Sequence, residues 1–102
     1  MRDKFFALLG FCAKSRNCVF GEDAGTSAIK SGKAALVLLQ DGASENTRKK
    51  ISAACAYRQV PLLICEGDIG TACGKPGRKI ITVTDRVFAG NLSKLYGENT
   101  GD

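Results

Sequence analysis

Histidine and tryptophan are absent from this chain of 102 residues, and aromatic residues make up only 7% of it. The absence of histidine removes the side chain that most often acts as a general base near neutral pH. It also excludes every Cys-His or Ser-His catalytic dyad formed within one chain. The composition therefore weighs against an enzyme that uses nucleophilic catalysis.

Motifs that bind nucleotide phosphates are also missing. A phosphate-binding loop needs two glycines separated by four residues, then lysine, then serine or threonine. The segment Gly70–Pro76 is one residue too short and has proline in place of the hydroxyl residue. Around Gly32, the first glycine is replaced by Ser27 and the hydroxyl residue by Ala34, and the pattern G-x-G-x-x-G occurs nowhere. A nucleotide-dependent enzyme is therefore disfavoured, and no cofactor is expected.

The cysteines show no metal or redox spacing. They number five, an odd count, and no two of them form a C-x-x-C pair, so neither a zinc site nor a thioredoxin-like motif is indicated. Four of them, all except Cys73, lie within or beside apolar stretches, where a thiol behaves as a small hydrophobic group. We expect buried, reduced cysteines and no metal site.

No long apolar segment is present. The longest apolar run is far shorter than a membrane span, and no signal peptide is recognisable. The sequence therefore predicts a cytoplasmic protein without a membrane partner. The 15 Lys and Arg residues exceed the 10 Asp and Glu residues and give a net charge of +5, which makes a polyanion a plausible partner.

Apolar periodicity predicts strands that alternate with helices. This alternation is typical of an α/β protein, here a single domain over residues 1–102 with a three-layer α/β/α sandwich around a small mixed four-stranded sheet. Asp23 is predicted to cap the second helix, Gly32 and Gly74 to end helices, and residues 97–102 to form a flexible tail. The predicted helices cover residues 2–14, 23 to 30 or 31, 45–58, 68–73 and 85–96, and the predicted strands cover residues 18–20, 35–39, 62–65 and 80–83.

Two short segments carry groups that suit RNA. The second helix begins with free amides and with the hydroxyls of Thr26 and Ser27, and the loop before the last strand carries Lys75 and Arg78. Helix N-termini bind phosphate, and hydroxyls and flexible cations contact sugar and phosphate. An RNA site requires these two segments to lie side by side. A simpler explanation of the acidic residues before the helix is that they stabilise the positive end of its dipole.

Several longer stretches of the sequence match, in the same order, those of a known protein family. They are FFALLGFCAKSRNCVFGED, AIKSGKAALVLLQDGASENTRKKI, the strand entry Val60-Pro61, GDIGTACGK and VTDRVFAGNL. Over about residues 4–96 the chain resembles the kink-turn-binding ribosomal-protein family (the L7Ae and L30e group), most closely its small bacterial YlxQ-type branch. The resemblance implies a non-catalytic protein of the translation apparatus that binds structured RNA, either rRNA or another kink-turn-like RNA. Association with the ribosome is a further expectation, and DNA is not an expected partner.

The resemblance also implies that the second helix reads sheared G·A pairs in a sharply bent duplex. In the family this helix entry reads G-x-N-E-x-T-K, and Gly21 and Thr26 match that pattern. Asp23 replaces the asparagine and can only accept hydrogen bonds, Ala24 replaces the glutamate and cannot accept one, and Ser27 replaces the lysine without its charge. The loop before the last strand is more basic than the typical version. Both features favour contact with the RNA backbone over base recognition.

The predicted RNA-binding residues follow from these two segments. Lys30 is included because it lies one turn beyond Thr26, whereas the triplet Arg48-Lys49-Lys50 is more often a solvated helix face. The alternative is a protein-interaction module of the translation apparatus that has lost kink-turn recognition. The predicted residues are Gly21, Glu22, Asp23, Ala24, Thr26, Ser27, Lys30, Lys75 and Arg78.

Overall fold

The computed structural model describes residues 3–100, with side chains described up to Gly97. Helices and strands alternate along the chain as predicted. Within the described residues, no helix is both long and apolar enough to cross a bilayer. The elements are α1 (Asp3–Lys14), β1 (Cys18–Phe20), α2 (Glu22–Lys30), β2 (Leu36–Gln40), α3 (Glu45–Arg58), β3 (Leu62–Cys65), α4 (Ile69–Ala72), β4 (Ile80–Val83) and α5 (Arg86–Thr100).

The four strands form one mixed sheet in the order β1-β4-β2-β3. Strands β2 and β3 are parallel, with Val37 opposite Leu62, because the crossover through α3 returns the chain to the same end of the sheet. Strand β4 runs antiparallel to both of its neighbours and places Ile81 opposite Leu38 and Phe20. The predicted mixed four-stranded sheet is confirmed.

Strand β2 is buried on both faces, as its continuous apolar run predicts. Leu36 and Leu38 belong to the core cluster that α1, α4 and α5 form on one face of the sheet. Val37 and Leu39 belong to the cluster that α2 and α3 form on the other face. Successive side chains of a strand point to opposite faces, so a strand between two helical layers must be apolar at every position. This arrangement confirms the three-layer sandwich.

Aromatic contacts join the layer of α1 and α5 to the edge of the sheet. The ring of Phe5 meets the ring of Tyr96 edge-on, with centroids 5.1 Å apart. The Tyr96 hydroxyl donates to the carbonyl oxygen of Ile64 at 3.0 Å and accepts from the amide of Glu66 at 3.3 Å. Helix α5 is thereby attached to β3, one of the two edge strands of the sheet, whose Ile64 is 37% exposed.

The start of α2 and the end of α5 differ from the prediction. Asp23 is not the N-cap of α2, because the helix begins at Glu22 and Gly21 occupies the cap position without a side-chain hydrogen bond. The amide of Gly25 already donates to the carbonyl of Gly21 at 3.0 Å, so both acidic residues lie inside the first turn. Helix α5 continues past the predicted end at Tyr96, and residues 101–102 of the predicted tail lie outside the described residues.

The predicted helix stops are confirmed. Gly32 and Gly74 both have positive φ, at 80° and 73°, and each directly follows the C-cap residue of its helix, Ser31 for α2 and Cys73 for α4. Asp68 caps α4 by accepting from the hydroxyl of Thr71 at 2.6 Å and from its amide at 3.1 Å. These bonds favour the carboxylate and lower the pKa of Asp68. Strand β2 begins one residue later than predicted, at Leu36.

Candidate nucleic-acid interface

The two segments predicted to bind RNA lie next to each other. The amide of Gly21 donates to the carbonyl of Ile80 at 3.0 Å, which fixes the start of α2 beside the start of β4. A Cβ placed on Gly21 would lie 3.1 Å from Nη1 of Arg78, so the guanidinium of Arg78 covers the entry to the helix. We call the surface formed by Gly21, the first turn of α2 and the side chains of Lys75 and Arg78 the basic ledge.

Lys75 completes the ledge from its other side. Its Nζ lies 5.8 Å from the centroid of the Phe20 ring, within the range of a cation–π contact. Within the described residues, neither Lys75 nor Arg78 forms an ion pair with a carboxylate. Both side chains are exposed, so their positive charges face solvent and are available to an anionic partner.

Gly21 allows the close approach of Arg78. Its φ of 93° and ψ of 171° lie in a region that is essentially restricted to glycine.

The Gly21→Ala change is expected to lower the free energy of unfolding by about 1–3 kcal/mol because of this backbone strain. Urea denaturation measures the loss. Gly42→Ala is the control, because its Cβ would meet only the flexible Nζ of Lys79, at 3.9 Å. Equal losses of stability in the two variants would contradict the claim that the backbone conformation of Gly21 requires glycine.

Glu22 has a structural partner and does not extend into solvent as a free carboxylate. The hydroxyl of Thr47 donates to Oε1 of Glu22 at 3.1 Å, and Nζ of Lys50 lies 3.9 Å from Oε2. Thr47 and Lys50 both belong to α3, so Glu22 joins the start of α2 to α3. Lys50 offsets the negative charge that Glu22 would otherwise place beside the ledge.

The remaining polar residues of α2 line an open groove between α2 and α3. The groove has a volume of about 820 Å³ and contains Lys30 on one side and Lys50 on the other. Ala24 is exposed in the first turn of α2 but does not line the groove. The predicted site is therefore in two parts, the basic ledge and the groove, which meet at the first turn of α2. The predicted residues in the groove are Glu22, Asp23, Thr26, Ser27 and Lys30.

The sequence prediction missed Phe20, Thr47 and Lys50. In the sequence, Phe20 has the pattern of any apolar strand residue, and only the structure shows that the ammonium of Lys75 lies over its ring. A signal for α3 was present, because Thr47, Lys50 and Ala54 recur at spacings of three and four and therefore share one helix face. Lys49 lies on a different face, where it pairs with Glu45 at 3.6 Å, so the basic triplet is divided between the groove and solvent.

Comparison with known proteins identifies the family of the chain. Residues 3–93 match the model of the family described as ribosomal protein L7Ae/L30e/S12e/Gadd45. The chain belongs to this family. The L7Ae/L30e assignment, which the sequence analysis reached by resemblance, is therefore confirmed.

Two bacterial proteins are similar to this chain over nearly their whole length. A Bacillus subtilis (strain 168) protein named RNA-binding protein YlxQ is 39% identical over 94 residues, which cover 90% of this chain and 94% of that protein. The protein of the same name from Enterococcus faecium is 33% identical over 96 residues, which cover 92% of each chain. The resemblance to the YlxQ-type branch is thus also confirmed.

Solved structures show the same fold. A Bacillus halodurans protein of unknown function superposes with a TM-score of 0.87 and 33% identity, covering 90% of this chain and 95% of that one. A Giardia lamblia 15.5 kD RNA-binding protein superposes with a TM-score of 0.74 at 21% identity, covering 91% of this chain and 82% of that one. At 21% identity, the similarity to the Giardia lamblia protein shows a shared fold and nothing about function.

Proposed function

We propose that this chain is a non-catalytic RNA-binding protein that holds structured RNA on the basic ledge. Its RNA is rRNA or another bent RNA of the translation apparatus, and its place of action is the cytoplasm. The observation that carries the proposal is the position of Arg78 directly over Gly21. It joins the amide-rich first turn of a helix to a guanidinium that has no carboxylate partner among the described residues. Membership of the L7Ae/L30e family and similarity to two proteins named RNA-binding protein YlxQ support the same conclusion.

The ledge suits the RNA backbone better than RNA bases. Arg78 offers a planar set of donors that matches a phosphate, and Lys75 offers a mobile point charge. The exposed side chains of the first turn, Asp23 and Ala24, lack the donor and the acceptor needed to read a base edge. The basic ledge therefore accounts for affinity, and selectivity comes from the shape of a bent RNA that reaches both Arg78 and the groove.

The double variant Lys75→Gln/Arg78→Gln tests the proposal. We expect RNA affinity to fall by about tenfold or more, and the slope of log K against log[salt] to become shallower by about two, because two phosphate contacts are lost. Fluorescence anisotropy with a kink-turn duplex and with an unbent duplex of equal length, each titrated at several salt concentrations, gives both quantities.

Arg48→Gln/Lys49→Gln is the matched control. It removes two positive charges, as the ledge variant does, from the solvated face of α3, where Lys49 pairs with the exposed Glu45. This control is expected to keep most of the affinity of the unchanged protein. Equal salt slopes in the two double variants would show that net charge, and not the ledge, determines binding. No RNA affinity in the unchanged protein, together with protein partners that survive RNase digestion, would favour the protein-interaction module.

A further inference from the structure

Two thiols meet in the core cluster that α1, α4 and α5 form on one face of the sheet. The sulfur atoms of Cys12 and Cys18 lie 3.0 Å apart, in hydrogen-bond contact. Cys12 is fully buried near the end of α1, and Cys18 is 9% exposed at the start of β1. The five cysteines are all free thiols, and this pair is a direct sulfur–sulfur contact between them.

The turn between α1 and β1 brings the two sulfurs together. The amide of Asn17 donates to the carbonyl of Cys12 at 3.0 Å, which folds the chain back on the last turn of the helix. Arg16 adopts a left-handed conformation in this turn, with φ of 62°, and so allows the reversal. The Cys12 thiol also donates a hydrogen bond to the carbonyl of Asn17 at 3.6 Å, and this bond keeps the Cys12 sulfur on the side that faces β1.

Hydrogen bonding makes the two thiols chemically unequal. Once Cys12 ionises, the S–H of Cys18 donates to its thiolate and lowers the pKa of the Cys12 thiol, although burial and the Asp85 carboxylate oppose this shift. The same contact, together with burial, raises the pKa of the Cys18 thiol. The 3.0 Å contact lets the Cys18 thiol donate to a Cys12 thiolate, so we assign Cys12 as the nucleophile and Cys18 as the thiol that attacks in the second step.

We propose that Cys12 and Cys18 form an oxidation site at which a peroxide closes an intramolecular disulfide between α1 and β1. The 3.0 Å sulfur contact carries this assignment, because a movement of about 1 Å brings the atoms to the bond length of a disulfide. Within the described residues, no group of three or more metal-ligating side chains is placed to hold a metal ion, so the pair does not belong to a metal site.

The reaction proceeds in two balanced steps. The Cys12 thiolate attacks one oxygen of hydrogen peroxide, the O–O bond breaks, and Cys12 becomes a sulfenic acid while hydroxide leaves and is protonated to water. Cys18 then attacks the Cys12 sulfur, forms the S–S bond and releases a second water as its own proton is transferred. Two thiols and one peroxide give one disulfide and two waters, and two electrons pass from sulfur to oxygen. Burial of Cys12 favours a small uncharged oxidant of this kind over a bulky disulfide.

The disulfide would lie close to the basic ledge. Strand β1 begins at Cys18 and ends at Phe20, the residue beneath Lys75, and Gly21 follows directly. A covalent bond at Cys18 therefore restrains the strand that positions both parts of the ledge. Cys73 is partly exposed and its sulfur approaches the carbonyl of Leu9 on α1 at 3.9 Å, so it is the competing thiol that an experiment must distinguish.

Peroxide treatment of the folded, full-length protein tests the proposal. After treatment, the protein is denatured, its remaining thiols are alkylated, and the chain is digested with trypsin. Trypsin cleaves after Lys14 and Arg16, so the peptides that contain Cys12 and Cys18 stay joined only through a disulfide. We expect this linked pair, lighter than its reduced peptides by the mass of two hydrogens, to form at least about tenfold faster than Cys55 is oxidised. Burial raises the pKa of Cys55 to about 11, and no sulfur among the described residues contacts it, so Cys55 is a matched buried thiol.

The variants Cys18→Ser and Cys18→Ala separate pairing from simple reactivity. In a folded variant, we expect the linked peptides to disappear and dimedone to trap a sulfenic acid at Cys12. Thermal unfolding identifies whichever variant keeps the fold, and the result for the unchanged protein stands without either of them. Linkage of Cys73 to Cys12 or Cys18 would overturn the assignment, and so would oxidation of Cys12 and Cys18 no faster than that of Cys55.

Discussion

Replacement of Gly70 by alanine is expected to destabilise the protein by at least about 2 kcal/mol, because the new methyl group would overlap with backbone atoms that cannot rotate away. A Cβ at Gly70 would lie 2.5 Å from the carbonyl oxygen and 2.9 Å from the amide nitrogen of Arg78, and it would also overlap with the carbonyl oxygen of Lys75. The loop that carries both cations is therefore packed directly on the Cα of Gly70. Urea denaturation and RNA anisotropy together measure the two consequences, lost stability and a displaced ledge.

Gly90→Ala is the control for Gly70→Ala. Gly90 lies in helix α5 with open space around the position of its Cβ, so alanine there is expected to stabilise the protein by about 0.5–1 kcal/mol. The Gly70 variant should in addition bind RNA more weakly under conditions where it remains folded, whereas the Gly90 variant should bind normally. A Gly70 variant with unchanged stability would show that the loop moves without cost and that Gly70 does not determine its position.

The sequence was sufficient to predict the order and type of the elements because their signals are local. The run Ala35–Leu39 is apolar at every position, and a strand between two helical layers is the arrangement that requires this. The helix stops at Gly32 and Gly74 were equally local. The start of α2 was predicted wrongly, because Asp23 has the right side chain for a cap but the hydrogen bond from Gly21 to Ile80 makes the helix begin earlier.

The candidate site was harder to predict because it depends on contacts between distant parts of the chain. That Arg78 covers Gly21 follows from the antiparallel pairing of β1 with β4, which no local pattern specifies. The role of Glu22 as a bridge to Thr47 depends in the same way on the packing of α2 against α3. Gly70 illustrates the limit most clearly, since nothing in its sequence neighbourhood shows that a loop rests on its Cα.

Restoring the family pattern at three positions is expected to increase selectivity for kinked RNA by at least about tenfold, if each new base contact contributes the 1–3 kcal/mol typical of base-edge recognition. The triple variant is Asp23→Asn/Ala24→Glu/Ser27→Lys. Asparagine adds a donor at position 23, glutamate adds an acceptor for a guanine edge, and lysine adds a phosphate contact. All three positions are exposed, so the fold should tolerate the changes.

The measurement compares two RNAs that differ only in their G·A pairs, a kink-turn duplex and the same duplex with Watson–Crick pairs in their place. The single variant Ser27→Lys is the control, because its added charge should strengthen binding to both RNAs by the same factor. Selectivity that rises in the triple variant alone would show that the natural chain has a ledge for the RNA backbone and lacks only the base-reading side chains. Equal selectivity in the triple and single variants would mean that the first turn of α2 does not face the G·A pairs, and the basic ledge would then have to hold RNA in a different orientation.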